Sequence, residues 1–579
     1  MRTNINKNLI LGVVILSIIS CSSRDDSPKN SKSNNGITGT YLRFNIAGIE
    51  EKDNVTNFAK SSVNKNDNSY VVPALSIAND KMVSAGGFDV LIKGEQELYT
   101  NKIQNIASSS VQGNLISATT QSPMANGIKY RLLIYDAINN TLVKNVDATS
   151  GINLNIQVDG GKQYKWYAVS TNDNITPNAD PATGIINGNT LMNKDVLWNQ
   201  GVVDAQYGEN NMNVVFKRNT SQINVDLDVR GMFGIINNTT SLEIGSGTGT
   251  NFSTIIQTGD LNIFTGQYSN FQNAPAITGA NMINKTGSGG ALGGTKTATF
   301  YTVSTTSIPI NNLRVRLNQL DINLDDNSIR SFPSSIIPFN NSLVTTVLGN
   351  RYSLNLRLLE SGVISKTGRP LKWARTDLRY NASQNDKYRF VIINSGNNMT
   401  SDSTNDYWNW MSATPTGPST DNVDPCSKVY PEGIWRMPTS SEYDDLVSDV
   451  NTGYFGWNYY FYGSGVYGAD FPYNDNPNAS NPSNNSYPTN SQKLILPYAG
   501  YRNNSDGSLS NSYTFPIPLV YRQGYLYYWT STPTDALKSK GFYAYYSLTF
   551  VVQNYGASIV DGNKINEGYR IRCVRTVSN

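Results

Sequence analysis

From residue 39 to about residue 362, apolar residues recur at every second position in short runs. Ile152, Leu154, Ile156 and Val158 alternate with Asn153, Asn155 and Gln157; Ile223, Val225, Leu227 and Val229 alternate with Asn224, Asp226 and Asp228. Leu313, Val315 and Leu317 alternate with arginines, and Tyr352, Leu354, Leu356 and Leu358 with Ser353, Asn355 and Arg357. A period of two sends successive side chains to opposite faces of a strand, so each run predicts a strand half-buried against a core. Turn-forming clusters such as Gly245-Ser246-Gly247-Thr248-Gly249-Thr250 separate the runs. The expectation is a mainly β chain with two tandem β-sandwiches, residues 39–212 and 213–362. Near Gly368 the alternation gives way to Gly, Pro, Asn and aromatic residues, which sets residues 363–579 apart. There Thr439 and Glu442 have capping-box spacing, predicting a helix through Leu446 and Val447.

The first residues carry two positive charges and no acid, and an apolar run follows from Leu9 to Ile19. A spanning helix needs roughly 20 apolar residues, so the run is too short to cross a bilayer and fits a secretory signal peptide, residues 1–20. It ends on Ile18-Ile19-Ser20-Cys21, which resembles a lipobox, implying lipidation of Cys21; an ordinary signal peptide is the alternative. Residues 21–38 are small, polar and turn-rich, and are expected to be a flexible tether. Asp25-Asp26 within it resembles the export signals of Bacteroidetes surface lipoproteins. The expected address is the cell outer membrane, lipid-anchored and facing the medium.

Charged residues make up 15% of the 579, with a net charge of +3 and no basic stripe, which argues against nucleic acid as a partner. The 35 tyrosines and the abundance of Thr, Ser and Asn suit pleated surfaces outside the cytoplasm. The chain has no histidine, which removes Ser-His-Asp and Cys-His catalysis and the usual zinc sets. Of three cysteines, Cys21 is assigned to lipid. Cys426 and Cys573 lack a third partner for a metal site, and in an oxidising compartment a disulfide is the expected state, with two separate buried thiols as the alternative.

Three segments resemble the fimbrillin family, the subunits of Bacteroidetes pili: KYRLLIYD over Lys129–Asp136, GGKQYKWYAVSTN over residues 160–172 and VVFKRNTSQI over residues 214–223. Their order and spacing match the family across the two predicted sandwiches. The resemblance implies export as a lipoprotein, removal of an N-terminal strand after an arginine, and filling of the vacated groove by a neighbouring subunit's strand. That is β-strand addition, in which an open edge gains a ladder of main-chain hydrogen bonds. Residues 40–46 form the apparent first strand, with Arg43 inside it as the candidate processing site. An unrelated Greek-key surface protein is the alternative.

The last region contains RPLKWARTDL over residues 369–378, CSKVYPEGIWRMPTSSEY over 426–443, LPYAGYR over 496–502, YWTST over 528–532 and GYRIRCVR over 568–575. This ordered set resembles the Fibrobacter major paralogous domain. The resemblance implies a C-type-lectin-like α+β fold with a disulfide near both ends, which suits Cys426 and Cys573. The W-R-x-P-T-x-x-E element is also similar to formylglycine-generating enzymes. Those rely on a reactive copper-binding cysteine pair, whereas both cysteines here occupy the disulfide landmarks, so no enzymatic activity is expected. The aromatic loop region supplies Trp457, Tyr459, Tyr460, Tyr473 and Asp475 as candidate ligand-binding residues, able to stack on sugar rings or to form protein hot spots. Packing under the loops is the competing role for each. No cofactor is expected. Calcium stays open through Asp475, but a hard cation needs about six or more oxygens, which cannot be assembled, and the lectin Glu-Pro-Asn and Trp-Asn-Asp motifs are absent.

The expected function is a surface-exposed fimbrial component assembled by strand exchange, a tip or accessory adhesin whose C-terminal domain binds host or bacterial surface ligands. Its expected partners are other pilus subunits, a glycan or protein ligand, and the outer membrane through the lipid. A tip position is favoured because the chain closes on Cys573-Val574-Arg575 within a globular domain and not on a donor strand. The alternative is a glycan-binding surface lipoprotein of a nutrient-uptake system, unconnected with pili.

Overall fold

The alternating runs become strands whose inward residues are excluded from solvent. Ile223, Val225, Leu227 and Val229 lie on Ser221–Gly231 and are 0–2% exposed. Leu313, Val315 and Leu317 lie buried on Leu313–Asn323, as do Tyr352, Leu354, Leu356 and Leu358 on Arg351–Glu360. Ile152 departs from its run. It falls in the turn before Leu154–Val158 and is 66% exposed, whereas Ile156 and Val158 are buried in the core and Leu154 packs against it. This computed structural model describes residues 39–51, 81–85, 87–92, 120–325, 327–341, 343–364, 371–390, 404–453, 455–460, 466–471, 494–510, 514–517 and 521–576.

The first sheet has eight strands. Thr40–Glu51 lies between Glu209–Arg218 on one side and, on the other, Leu154–Val158 and Thr120–Ser122. The sheet continues through Leu197–Asp204, Gln163–Ser170, Lys129–Asp136 and Leu142–Thr149. Its inward residues, among them Leu42, Phe44, Tyr130, Trp166 and Phe216, meet in one core.

A six-stranded and a seven-stranded sheet enclose a second core. The six-stranded sheet contains an element that the sequence expectation placed elsewhere. Phe88–Ile92, within the range given to the first sandwich, pairs antiparallel with Arg351–Glu360 and carries the hairpin partner Lys81–Ser84. All five residues of Phe88–Ile92 are buried, so it is covered on both faces. Such a strand has no polar alternation to reveal its partner, which here lies far along the chain. The N-terminal segment is thus shared between the two sandwiches.

A small sheet of Ile185–Ile186, Gln257–Asn262 and Gln267–Asn273 joins the two halves. At the same junction Arg218 bonds both Asp195 and Glu51, and the Trp198 indole donates to the Ile263 carbonyl at 2.8 Å.

In the last region the four-stranded sheet Thr514–Ile517, Tyr521–Pro533, Lys538–Thr549 and Val552–Asn563 packs against the helix Asp444–Asn451. The capping box forms as predicted: the Glu442 carboxylate accepts from the Thr439 N–H at 2.8 Å. One turn of 3₁₀ helix, Ser440–Tyr443, precedes the α-helix, whose Leu446 and Val450 are buried. Tyr443 stacks on Phe542 with ring centroids 4.7 Å apart. Val574–Thr576 pairs with Leu371–Trp373, so the start and finish of the region lie side by side.

Contacts fasten this region to the second sandwich. Arg230 lies 3.8 Å over the Tyr430 ring and pairs with Asp386 at 2.6 Å, while Phe233 meets Phe390 edge-on at 5.7 Å.

Candidate functional site

The first strand is held on both sides. Arg43 sits opposite Asn211 in the parallel ladder with Glu209–Arg218 and opposite Asn155 in the antiparallel one with Leu154–Val158. Its neighbours Leu42 and Phe44 are wholly buried, and Phe44 meets Trp166 edge-on at 5.9 Å. Side chains alternate, so Arg43 points the other way; it donates to Asn155 Oδ1 at 3.1 Å and pairs with Glu209 at 2.9 Å. The strand is a plug, with apolar anchors facing inward and polar clasps outward. A protease needs an extended, unpaired segment, so cutting after Arg43 requires this strand to leave its ladders first.

Cys426 and Cys573 form a disulfide that spans 147 positions, with both residues fully buried beside Trp435 and Trp529. Trp457, Tyr459 and Tyr460 fall on the strand Gly456–Tyr460, which pairs with Val466–Phe471; their side chains lie outside the described set. Tyr473, Asp475 and Cys21, the expected lipidation site, lie outside the described residues. Among the described residues no three His, Cys, Asp or Glu side chains gather as a metal-ligand set.

An aromatic surface that the sequence reading passed over lies on the outer face of the C-terminal sheet. Tyr525 and Tyr527 alternate with the buried Leu526 and Tyr528, and Tyr543 and Tyr545 alternate with the buried Phe542, Ala544 and Tyr546. Strand register sets Tyr525 opposite Tyr545 and Tyr527 opposite Tyr543. Ring centroids stand 5.0 Å apart for Tyr527 and Tyr543 and 6.1 Å for Tyr543 and Tyr545. Tyr501 extends the row, 5.1 Å from Tyr527. Gly556, opposite Tyr545, leaves the space that this ring uses: a Cβ there would stand 2.7 Å from the Tyr545 ring.

The flanking positions in register are Gln523, Ser547, Asn554 and Ser558, so the surface is uncharged. Burial, reinforced by Tyr527, Tyr525 and Tyr545, pushes the Tyr543 hydroxyl up, which keeps it protonated and able to donate. Half-buried rings bearing hydroxyl groups can stack on apolar ligand faces and exchange hydrogen bonds with polar ones. The signal that could have exposed this surface was the tyrosine at every second position in two strands.

No protein-family model matches the chain, and no curated protein does. Several solved structures share low similarity. A candidate cell adhesion protein of Bacteroides fragilis is 9% identical with a TM-score of 0.27, covering 45% of this chain and 94% of its own. One from Bacteroides uniformis is 10% identical with a TM-score of 0.24, covering 41% and 90%. A fimbrial assembly protein of Parabacteroides distasonis is 12% identical with a TM-score of 0.19, covering 41% and 84%. At these scores the likeness establishes neither a family nor a role.

Proposed function

We propose that the protein is a surface adhesin carried by a strand-assembled pilus. In this reading it is exported and lipidated on Cys21, and it acts by binding and not by turnover. The observation that carries the reading is the first strand. Thr40–Glu51 fills a slot between two neighbours, with Leu42 and Phe44 as buried anchors. A strand from another subunit with apolar residues at the same alternate positions would make the same ladders in its place. The fimbrillin-like segments and the lectin-like landmarks of the sequence agree with this role. The tyrosine row and the aromatic loop region are the surfaces assigned to ligand, and a position at the tip or as an accessory subunit follows from the globular C-terminal domain.

A second reading has its own observation. Arg43 is clasped by Asn155 and Glu209 within a doubly paired strand, which disfavours cutting. An uncut chain would keep its tether and serve as a glycan-binding lipoprotein of the outer surface. Immunogold labelling of piliated cells, with a deletion strain beside them, separates the two. Label at fibre ends supports the pilus adhesin; label confined to the cell surface, with normal piliation in the deletion strain, overturns it.

A further inference from the structure

The second sandwich contains a cleft of about 260 Å³ outside the surfaces described so far. It lies where Ile235–Ile236, Ile283–Asn284, the start of Thr295–Thr302 and the end of Leu313–Asn323 come together. Four carboxamides line it, from Asn237, Asn238, Asn284 and Asn323, together with Lys296 and the apolar Ile235 and Leu292. No acidic residue is in the lining.

Lys296 is the charged group of the cleft. Its side chain is only 9% exposed, and its ammonium donates to the Gly279 carbonyl at 3.0 Å. That is its one hydrogen bond among the described residues, and none of their carboxylates lies within ion-pair distance of it. Arg330 faces Glu360 and Arg570 faces Asp377, whereas Lys296, like Arg314, bonds only carbonyl oxygen among the described residues. With a carbonyl as its partner and no facing carboxylate, the ammonium can still take an anionic group that enters the cleft. The desolvation also lowers the ammonium's affinity for its proton.

The carboxamides are similarly unspent. Asn237 donates to Asn323 Oδ1 at 2.6 Å, but the Asn238 and Asn284 side chains make no hydrogen bond among the described residues. Each offers one acceptor and two donors, a set suited to neighbouring hydroxyl groups. Leu292, 75% exposed on the rim, offers an apolar surface to the C–H face of a ring. The volume falls just below the usual range for ligand pockets, roughly 300–1,000 Å³, and suits a single sugar ring.

We propose that this cleft binds a carboxylate-bearing sugar, its carboxylate on Lys296 and its hydroxyls on Asn238 and Asn284. The site is independent of the pilus reading and stands or falls on binding alone. The test is titration calorimetry of the full chain with glucuronate, galacturonate and N-acetylneuraminate, and with glucose, acetate and inorganic phosphate as controls. At least one acidic sugar is expected to bind about tenfold or more tightly than any control, the difference one charge-assisted hydrogen bond supplies. Lys296→Met and Asn284→Ala should each weaken it by a similar factor, and Asn284, being exposed, should change without loss of thermal stability. Equal affinity for acetate or phosphate would reduce the cleft to a plain anion site and overturn the sugar assignment. Equal affinity for glucose would remove Lys296 from recognition. No binding by the folded wild-type chain, or binding indifferent to Asn284→Ala, would overturn the proposal outright.

Discussion

Arg575 donates to the carboxylate of Asp89 across 486 positions of sequence, both side chains buried. Asp89 lies on the N-terminal strand that completes the second sandwich, and Arg575 on the last strand of the C-terminal region. Lys372, on the strand beside Val574–Thr576, reaches the same carboxylate at 3.6 Å. One acid therefore joins the two extremes of the described chain.

Removing that acid takes the carboxylate from buried Arg575 and one of its partners from Lys372. Asp89→Ala should lower stability by about 3–5 kcal/mol, the usual penalty for orphaning a buried ion pair. Lys372→Met, which leaves Asp89 with Arg575, should lose less. Denaturant unfolding of both variants measures the difference, and equal losses would mean that Arg575 does not depend on Asp89.

The first strand predicts a contrast between two adjacent residues. Phe44→Ala should cost about 3–5 kcal/mol through the cavity it leaves, whereas Arg43→Ala, losing only half-exposed contacts, should cost about 0–1 kcal/mol. Phe44→Ala should also hasten cleavage after Arg43 by an arginine-specific protease, because the strand must unpair before it can be cut. Limited proteolysis followed by mass measurement of the fragments reads the rate. Cleavage as fast in the wild-type chain as in Phe44→Ala would show that unpairing is not the barrier.

Acid should loosen the same junction. Burial alone would raise the Glu51 carboxyl, but hydrogen bonds from Arg218 and Ser122 and the charges of Arg218 and Arg351 outweigh it and hold it below its usual range. Glu442, half-buried, would be raised by burial but is lowered by its hydrogen bonds from Arg436 and Thr439 and by the Arg436 charge. With the folded value below the unfolded one, the stabilisation is complete above the ordinary carboxylate range and is lost as pH falls through the folded value. Tm should decline as pH falls below the ordinary carboxylate range, and Glu51→Gln should flatten part of that decline while lowering Tm at neutral pH. A Glu51→Gln profile parallel to the wild-type curve would remove Glu51 from the effect.

Reduction should act on the C-terminal region. A bridge closing a loop of 147 positions restrains the unfolded chain by about 5 kcal/mol in the loop-entropy model. Cys426→Ser combined with Cys573→Ser should therefore unfold at markedly lower denaturant, with the loss concentrated in the C-terminal region, as hydrogen exchange would reveal.

In the proposed adhesin role, Tyr525→Ser and Tyr545→Ser should each weaken binding of the protein to piliated-cell target surfaces by about tenfold, the effect of losing one stacking ring of about 1–1.5 kcal/mol. Both residues are half-exposed, so the fold should persist. Unchanged adhesion in the double variant would move recognition away from the tyrosine row.

Much of the strand content was legible because burial on one face writes itself as alternation. Ser221–Gly231, Leu313–Asn323 and Arg351–Glu360 each carry a clean period of two, and the Thr439–Glu442 spacing marked its helix because a cap is a local hydrogen-bond pattern. The tyrosine row was legible in principle at Tyr525, Tyr527, Tyr543 and Tyr545, but only strand register places the four rings on one surface.

The sequence by itself determined the kinds of element, the change of architecture near Gly368 and the chemistry withheld by the lack of histidine. Each follows from local periodicity or from composition, which need no knowledge of distant neighbours. The tertiary structure alone decided that Phe88–Ile92 belongs to the second sheet, that Asp89 meets Arg575, and that Lys296 is buried with no facing carboxylate among the described residues. Strand pairing and charge pairing join residues hundreds of positions apart, and what selects them is the burial they share once the chain has closed.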